Sequence, residues 1–319
     1  MTASITARLQ CLSHTPIMSR FDPDAAVIKP VHDALGKLRD SVDEFAPDLI
    51  FLFAPDHYNG FFYDCMPQFC IGVQAASVGD FDSGFDDLLV PRDIARACAH
   101  AVTGADVDVA VSYRMKVDHG FTQPLNLLTG AIDRIPVVPI FINSVASPLP
   151  TMRRARLLGE AVGRYARTLA GWRVLFVGSG GLSHNPPIPD IENAPPEVAE
   201  RLIAGRNMTP EQRAVREQRV IDAARAFAGG TSPLHPLNPE WDRNFMRLLE
   251  IRAFPVLDGF VNDDITNAAG SSAHEVKTWV AASAAMAAAT DSAYDIKTSF
   301  YQAVPEWIAG FGVMEGRQR

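Results

Sequence analysis

Cysteine is scarce in this chain. Cys11, Cys65, Cys70 and Cys98 are the only four in 319 residues, and none forms a C-x-x-C pair. That excludes a zinc knuckle and points to reduced thiols in a cytoplasmic protein. Basic charge is also short: Lys plus Arg is 29 against 37 for Asp plus Glu, a formal net charge of -8. With no Lys/Arg run, a nucleic-acid partner is not expected. No apolar run reaches the roughly 18 residues of a membrane span, and Met1–Gln10 lacks the apolar core of a signal peptide. Repeats and low-complexity linkers are absent too, so the expectation is one domain over residues 1–319. The balance of 47% hydrophobic and 21% charged residues is that of a folded globular chain.

What is present alternates. Short apolar runs rich in Val, Ile and Phe predict buried strands at Ile5–Leu12, Asp48–Ala54, Phe69–Val73, Val107–Ser112, Pro136–Ile142 and Arg173–Gly178. Helices are expected at Pro23–Phe45, Pro91–Val102, Pro124–Ile132, Thr151–Ala170 and Pro210–Phe227. In the first of these, Ile28, Val31, Leu35, Leu38, Val42 and Phe45 line one face. Strand–helix alternation implies an α/β fold with a central sheet, mostly parallel or mixed, flanked by helices on both faces. Asn185–Pro196, with five prolines, reads as a loop. Ser272-Ala-His-Glu275 has the spacing of a capping box ahead of an Ala-rich helix that runs to about Ala289.

Four of the eight histidines, His14, His57, His119 and His184, stand at the ends of predicted strands or in the loops after them. In a parallel α/β sheet those ends open on one crevice, where ligands bind. Imidazole is both the commonest metal ligand and the side chain that titrates near neutral pH. The cluster therefore suggests a metal site, a proton-transfer site, or both. His32 and His100 fall within helices and read as ordinary surface residues. Without a thiolate set, the metal ligands must be imidazole and carboxylate. Two histidines and one carboxylate suit non-haem Fe(II), while zinc also takes His and Glu. Asp56, Asp118, Asp242 and Glu275 are the carboxylates nearest these motifs, and Glu275 competes with its capping-box role.

Val174–Ser183 runs from a strand into Gly-Ser-Gly-Gly, but the third glycine of a dinucleotide fingerprint is replaced by Ser183 and no phosphate-binding Gly-Lys-Ser/Thr follows. The glycines fit better as places where backbone approaches a ligand shell. Ser183 beside His184 keeps a hydrolase in view. Phe61, Phe62 and Tyr63 are open to two readings, an aromatic pocket or ordinary core.

The blocks Cys11-Leu-Ser-His14, Phe53-Ala-Pro-Asp-His-Tyr-Asn-Gly-Phe-Phe-Tyr63, Val117-Asp-His-Gly-Phe121, Gly178-Ser-Gly-Gly-Leu-Ser-His184, Leu234-His-Pro-Leu-Asn-Pro239, His274-Glu-Val-Lys-Thr-Trp279 and Pro305–Phe311 together resemble the class III extradiol catechol dioxygenases of the protocatechuate-dioxygenase β-subunit superfamily. The resemblance runs over nearly the whole chain. It implies Fe(II) held by His14, His57 and Glu275, with His119 and His184 as the acid/base pair. His184 is expected as the base for the catechol proton and His119 as the later acid. Asp56, Tyr58, Asp118 and Lys277 are further candidates, as substrate contacts or as supports for the ligands. The implied reaction opens a 3-substituted catechol of the 2,3-dihydroxyphenylpropionate or 2,3-dihydroxycinnamate type with O2, beside the two hydroxyls. A side-chain carboxylate would need a cation, for which Arg243, Arg247 and Lys277 are candidates. The resembling enzymes assemble, so a homo-oligomer is expected. The rival readings are a zinc hydrolase on the same ligands and a non-catalytic binding protein of the same fold.

Overall fold

The structure is a computed structural model that describes residues 5–206 and 208–319. The Met1–Ser4 part of the N-terminal reading lies outside the described residues. In chain order the strands are β1 (Thr6–Leu12), β2 (Leu49–Ala54), β3 (Phe69–Gly72), β4 (Ala75–Ser77), β5 (Ala110–Ser112), β6 (Met115–Val117), β7 (Val137–Ile142), β8 (Arg173–Ser179), β9 (Tyr294–Val304) and β10 (Ala309–Gln318). The helices are α1 (Ala25–Phe45), α2 (Arg92–Thr103), α3 (His119–Thr129), α4 (Met152–Ala166), α5 (Pro196–Ala204), α6 (Pro210–Ala228), α7 (Pro239–Glu250), α8 (Phe254–Leu257), α9 (Asn262–Ala269) and α10 (Val276–Ala289). None is long and apolar enough to cross a membrane.

Eight strands form one sheet in the order β5-β3-β7-β2-β8-β1-β10-β9, and β4 pairs with β6 outside it. The centre, β7-β2-β8-β1, is parallel; β3 runs antiparallel to β7, and β10 runs antiparallel to β1 and β9. The sheet is therefore mixed. Its inner strands are buried on both faces, which is why they read as unbroken apolar runs. In β2, Leu49, Phe51 and Phe53 enter one core while Ile50, Leu52 and Ala54 enter the other. Helices α2, α4 and α10 cover the first face; α1 and α3 cover the second, with Val31, Leu35, Leu38 and Val42 turned inward as their spacing predicts.

Helices α4 and α10 meet at glycine contacts. A Cβ on Gly159 would lie 2.0 Å from the Ala281 carbonyl oxygen, and one on Gly163 would lie 2.2 Å from that of Ala285. Gly159→Ala must push α4 off α10, so it should lower unfolding free energy by about 1–3 kcal/mol. Thermal unfolding of the variant checks this.

Several expectations differ from the structure. The helix predicted to start at Pro124 starts at His119, with Pro124 inside it. The C-terminal β9–β10 hairpin was not anticipated. β9 is half exposed, and β10 carries three glycines that let backbone approach Asp242, Leu182 and Leu9; both features weaken a strand signal. The four thiols are free, with Cys65 exposed and the other three buried.

Candidate active site

Strands β2, β8 and β1 are parallel neighbours, so their carboxyl ends emerge side by side. His57, His184 and His14 follow those ends. His119 opens α3 directly after β6, its helix capped by the Asp118 side chain, which accepts from the Gly120 N–H. Glu275 ends a 3-10 turn at Ala273–Glu275 that leads into α10, on the same side of the sheet. Four histidines and one distant carboxylate thus converge.

The capping box expected at Ser272–Glu275 does not form. Ser272 makes no capping bond and its buried hydroxyl has no partner. The Glu275 carboxylate is fully buried and faces the histidines instead. Its Oε1 lies 3.0 Å from His57 Nε2 and 3.2 Å from His184 Nε2. Its Oε2 accepts from the Gly181 N–H at 2.9 Å and lies 3.8 Å from His14 Nε2. The glycine loop makes this approach possible. Gly180 has φ +152°, and a Cβ there would stand 2.6 Å from Glu275 Cβ.

The ring nitrogens facing away from Glu275 are fixed by hydrogen bonds. Pro124 has no N–H, so inside α3 it leaves the Gly120 carbonyl without its helical donor. The Ser179 hydroxyl donates to that carbonyl at 2.7 Å. Ser179 Oγ must then accept from His14 Nδ1–H, 2.9 Å away. His14 Nε2 is left as a bare lone pair. Burial pushes His14 down to about 3, so it is neutral. His57 Nδ1 donates to Asp118 Oδ2 at 3.0 Å, which aims its Nε2 at Glu275. Two imidazoles with oriented Nε2 atoms beside one carboxylate form a donor set that fits a ferrous ion, and the outer hydrogen bonds are those expected of metal-binding histidines.

Charge is shared across the cluster. Burial disfavours charge on His57, but Asp118 and Glu275 on either side overcome it and raise its pKa well above the usual imidazole value. His184 is raised, against burial, by Glu275. Burial likewise opposes ionisation of Glu275, yet His184 and His57 hold its carboxyl well below the usual range.

Among the described residues, ligand atoms of His14, His57 and His119 lie within 4.8 Å of one another, as do those of Asp80, Asp118 and His119. His119 is nevertheless a poor third ligand beside His57. Its ring stacks on His57 with centroids 4.4 Å apart and planes 15° apart, so their in-plane lone pairs run alongside each other without meeting. Its Nδ1 is bonded to Asp80, which is buried.

Asp118 is fully buried, accepting from the His57 N–H and ring and from Asn59. Asp56 is also buried, and it accepts from the N–H groups of Asn59, Gly60 and Phe61. It ties down the loop after His57, and among the described residues it makes no hydrogen bond to the histidines or to Glu275. Tyr58 lines the cavity described below. Lys277 does not. Helix α10 is buried on nearly all sides, and Lys277 Nζ is turned to His274 Nδ1 at 2.8 Å. Burial pushes its ammonium down to about 7. Phe61 stacks on Phe141 at 3.9 Å and Phe62 is core, so neither lines the cavity. Ser183 is fully buried, its hydroxyl donating to Asp242 at 2.7 Å and accepting the Asn238 N–H, which removes it as a hydrolytic nucleophile. Asp242 also takes Tyr301 O–H, and so it braces the loop that carries His184.

Sequence reasoning missed Asp80, Ser179 and Arg216. Arg216 of α6 donates to the carbonyls of His57 and Tyr58 and to Asn59 Oδ1, clamping the His57 loop. All three act across long sequence separations, where no local pattern marks them. The cavity itself is lined by His14, His57, His119 and His184, by the Pro186–Pro189 loop and Trp307, and by α6.

The chain is 56% identical over 98% of its length, and 97% of the relative's, to a 2,3-dihydroxyphenylpropionate/2,3-dihydroxicinnamic acid 1,2-dioxygenase of Burkholderia vietnamiensis. It is 54% identical over 97% of its length, and 98% of the relative's, to an enzyme of the same description, numbered 1, from Pseudomonas putida. A solved structure of an uncharacterized protein from Escherichia coli K12 matches with a TM-score of 0.53 at 12% identity, covering 97% of this chain and 98% of that one, and shows the shared fold. The family described as the catalytic LigB subunit of aromatic ring-opening dioxygenase matches residues 8–312. That match includes His14, His57, His119, His184 and Glu275, and the chain belongs to this family of aromatic ring-opening dioxygenases.

Proposed function

We propose that this protein is a ferrous-iron-dependent extradiol dioxygenase. It opens a catechol substituted at position 3, of the 2,3-dihydroxyphenylpropionate or 2,3-dihydroxycinnamate class named for its relatives. The observation that carries this reading is the aim of His14 Nε2 and His57 Nε2 at the buried Glu275 carboxylate, each ring locked from behind by Ser179 or Asp118. These three residues would hold the iron. When bound, ferrous iron brings catechol and O2 together and supplies the electronic coupling that lets O2 react with the ring.

The protein's own part is proton timing and exclusion of water. His184 Nδ1 is held by the Leu182 carbonyl at 2.9 Å, which leaves Nε2 facing the cluster. Once deprotonated it is placed to accept a phenolic proton. His119, its Nδ1 held by Asp80, would carry the later proton at Nε2. The proline loop and Trp307 wall the cavity with apolar surface. The test is anaerobic loading with Fe(II) followed by an oxygen electrode. Catechol-dependent oxygen uptake and a yellow ring-fission product are expected; uptake of neither catechol nor oxygen, or equal activity with zinc, contradicts the reading.

Metal uptake should depend on pH. Asp118 and Glu275 raise the His57 pKa well above the usual imidazole value and so favour its protonated form in the metal-free protein, against which an ion at Nε2 competes. Raising the pH removes that proton beforehand. Iron affinity should climb by about tenfold per pH unit for each proton released. Chelator competition across the neutral range measures it; a flat profile contradicts a ligand role for His57.

A further inference from the structure

The part of the cavity lining formed by α5 and α6 is unusually basic for an acidic protein. Arg201 of α5 and Arg213, Arg216 and Arg219 of α6 line it, against two carboxylates, Asp80 and Glu217. The spacing 213, 216, 219 repeats every three residues and places the α6 arginines along one side of the helix. The carboxylates are already used: Asp80 binds His119 Nδ1, and Glu217 accepts the Phe81 N–H at 2.7 Å. Arg216 is spent on the His57 loop. Arg219 is exposed at the rim.

Arg201 and Arg213 differ from these. Both are half-buried cavity residues. Among the described residues, neither guanidinium takes part in any of the side-chain hydrogen bonds or ion pairs that tie down the other cavity charges. A guanidinium partly withdrawn from water without an acceptor is a cost unless an anion comes to it. Its fork suits a carboxylate.

We propose that Arg201 and Arg213 form the subsite for the side-chain carboxylate of the substrate, holding the acid end of the molecule on α5 and α6 while its catechol end lies at the histidine cluster. The inference rests on the proposed function. It replaces Arg243, Arg247 and Lys277, none of which lines the cavity: Arg243 lies over the Tyr301 ring, Arg247 bonds to Asn244, and Lys277 is buried against His274. Here the subsite selects by charge, and uncharged 3-alkyl catechols reach the same iron without its help.

The experiment compares kcat/KM for 3-(2,3-dihydroxyphenyl)propionate and for uncharged 3-propylcatechol in the iron-loaded wild type and in Arg201→Gln, Arg213→Gln and the double variant. The ratio of the two is the readout, so a general loss from misfolding cancels. The preference for the acid should fall by about tenfold in each single variant and by up to about a hundredfold in the double, mainly through KM. Inhibition of 3-propylcatechol turnover by 3-phenylpropionate should weaken in parallel. An unchanged ratio, or inhibition as tight as in wild type, overturns the subsite while leaving the dioxygenase reading intact. A wild type that opens neither catechol overturns the proposed function and the subsite with it.

Discussion

Glu275→Ala should yield a folded protein that neither retains iron nor opens a catechol. Among the described residues, the carboxylate is the one anion that touches His57, His184 and the Gly181 N–H together, with His14 close by. Without it two imidazoles remain, and no nearby side chain can replace it: Asp118 is committed to the far side of His57 and Asp80 to His119. Turnover should fall by about a thousandfold or more, at least ~4 kcal/mol in the barrier. Iron analysis after gel filtration and circular dichroism on the same sample separate metal loss from unfolding. A variant that keeps stoichiometric iron, or turns over at the wild-type rate, contradicts the ligand role.

His184→Ala and His119→Ala should split the two functions that Glu275→Ala removes together. Each should keep its iron and lose about 10²–10⁴-fold in kcat, the range for a positioned acid or base. His184 reaches the cluster only through Glu275 Oε1, and Glu275 keeps His57 and Gly181 without it. His119 is stacked on His57, with its outer nitrogen held by Asp80. Asp80→Asn should therefore act as a milder His119 variant, lowering kcat while leaving metal content intact. Normal turnover in either histidine variant removes that residue from proton transfer. Loss of iron in His119→Ala would instead make it a ligand.

Much of this site was legible because strand punctuation is local. The apolar runs end where His14, His57 and His184 begin, and the parallel centre of the sheet brings those ends together. Glu275 was harder: Ser272–Glu275 has capping-box spacing, and only the folded chain shows that the side chain turns to the histidines. Pro124 misled the helix boundary, since a proline reads as a first-turn residue. Inside α3 it frees the Gly120 carbonyl for Ser179 and so sets the His14 tautomer. Asp80 lies 39 residues from His119, and Arg216 lies 159 from His57. Contacts made by tertiary packing leave no periodic trace. The basic wall of the cavity was invisible for the same reason, because α6 read in one dimension is only a charged helix.

The identity of the three side chains that take the iron decides the chemistry of the site. Anomalous diffraction at the iron edge from anaerobically loaded crystals tests this directly. A single peak bonded to His14 Nε2, His57 Nε2 and the Glu275 carboxylate is the predicted result. A peak within the Asp80, Asp118 and His119 group, or one that Glu275 does not touch, contradicts it.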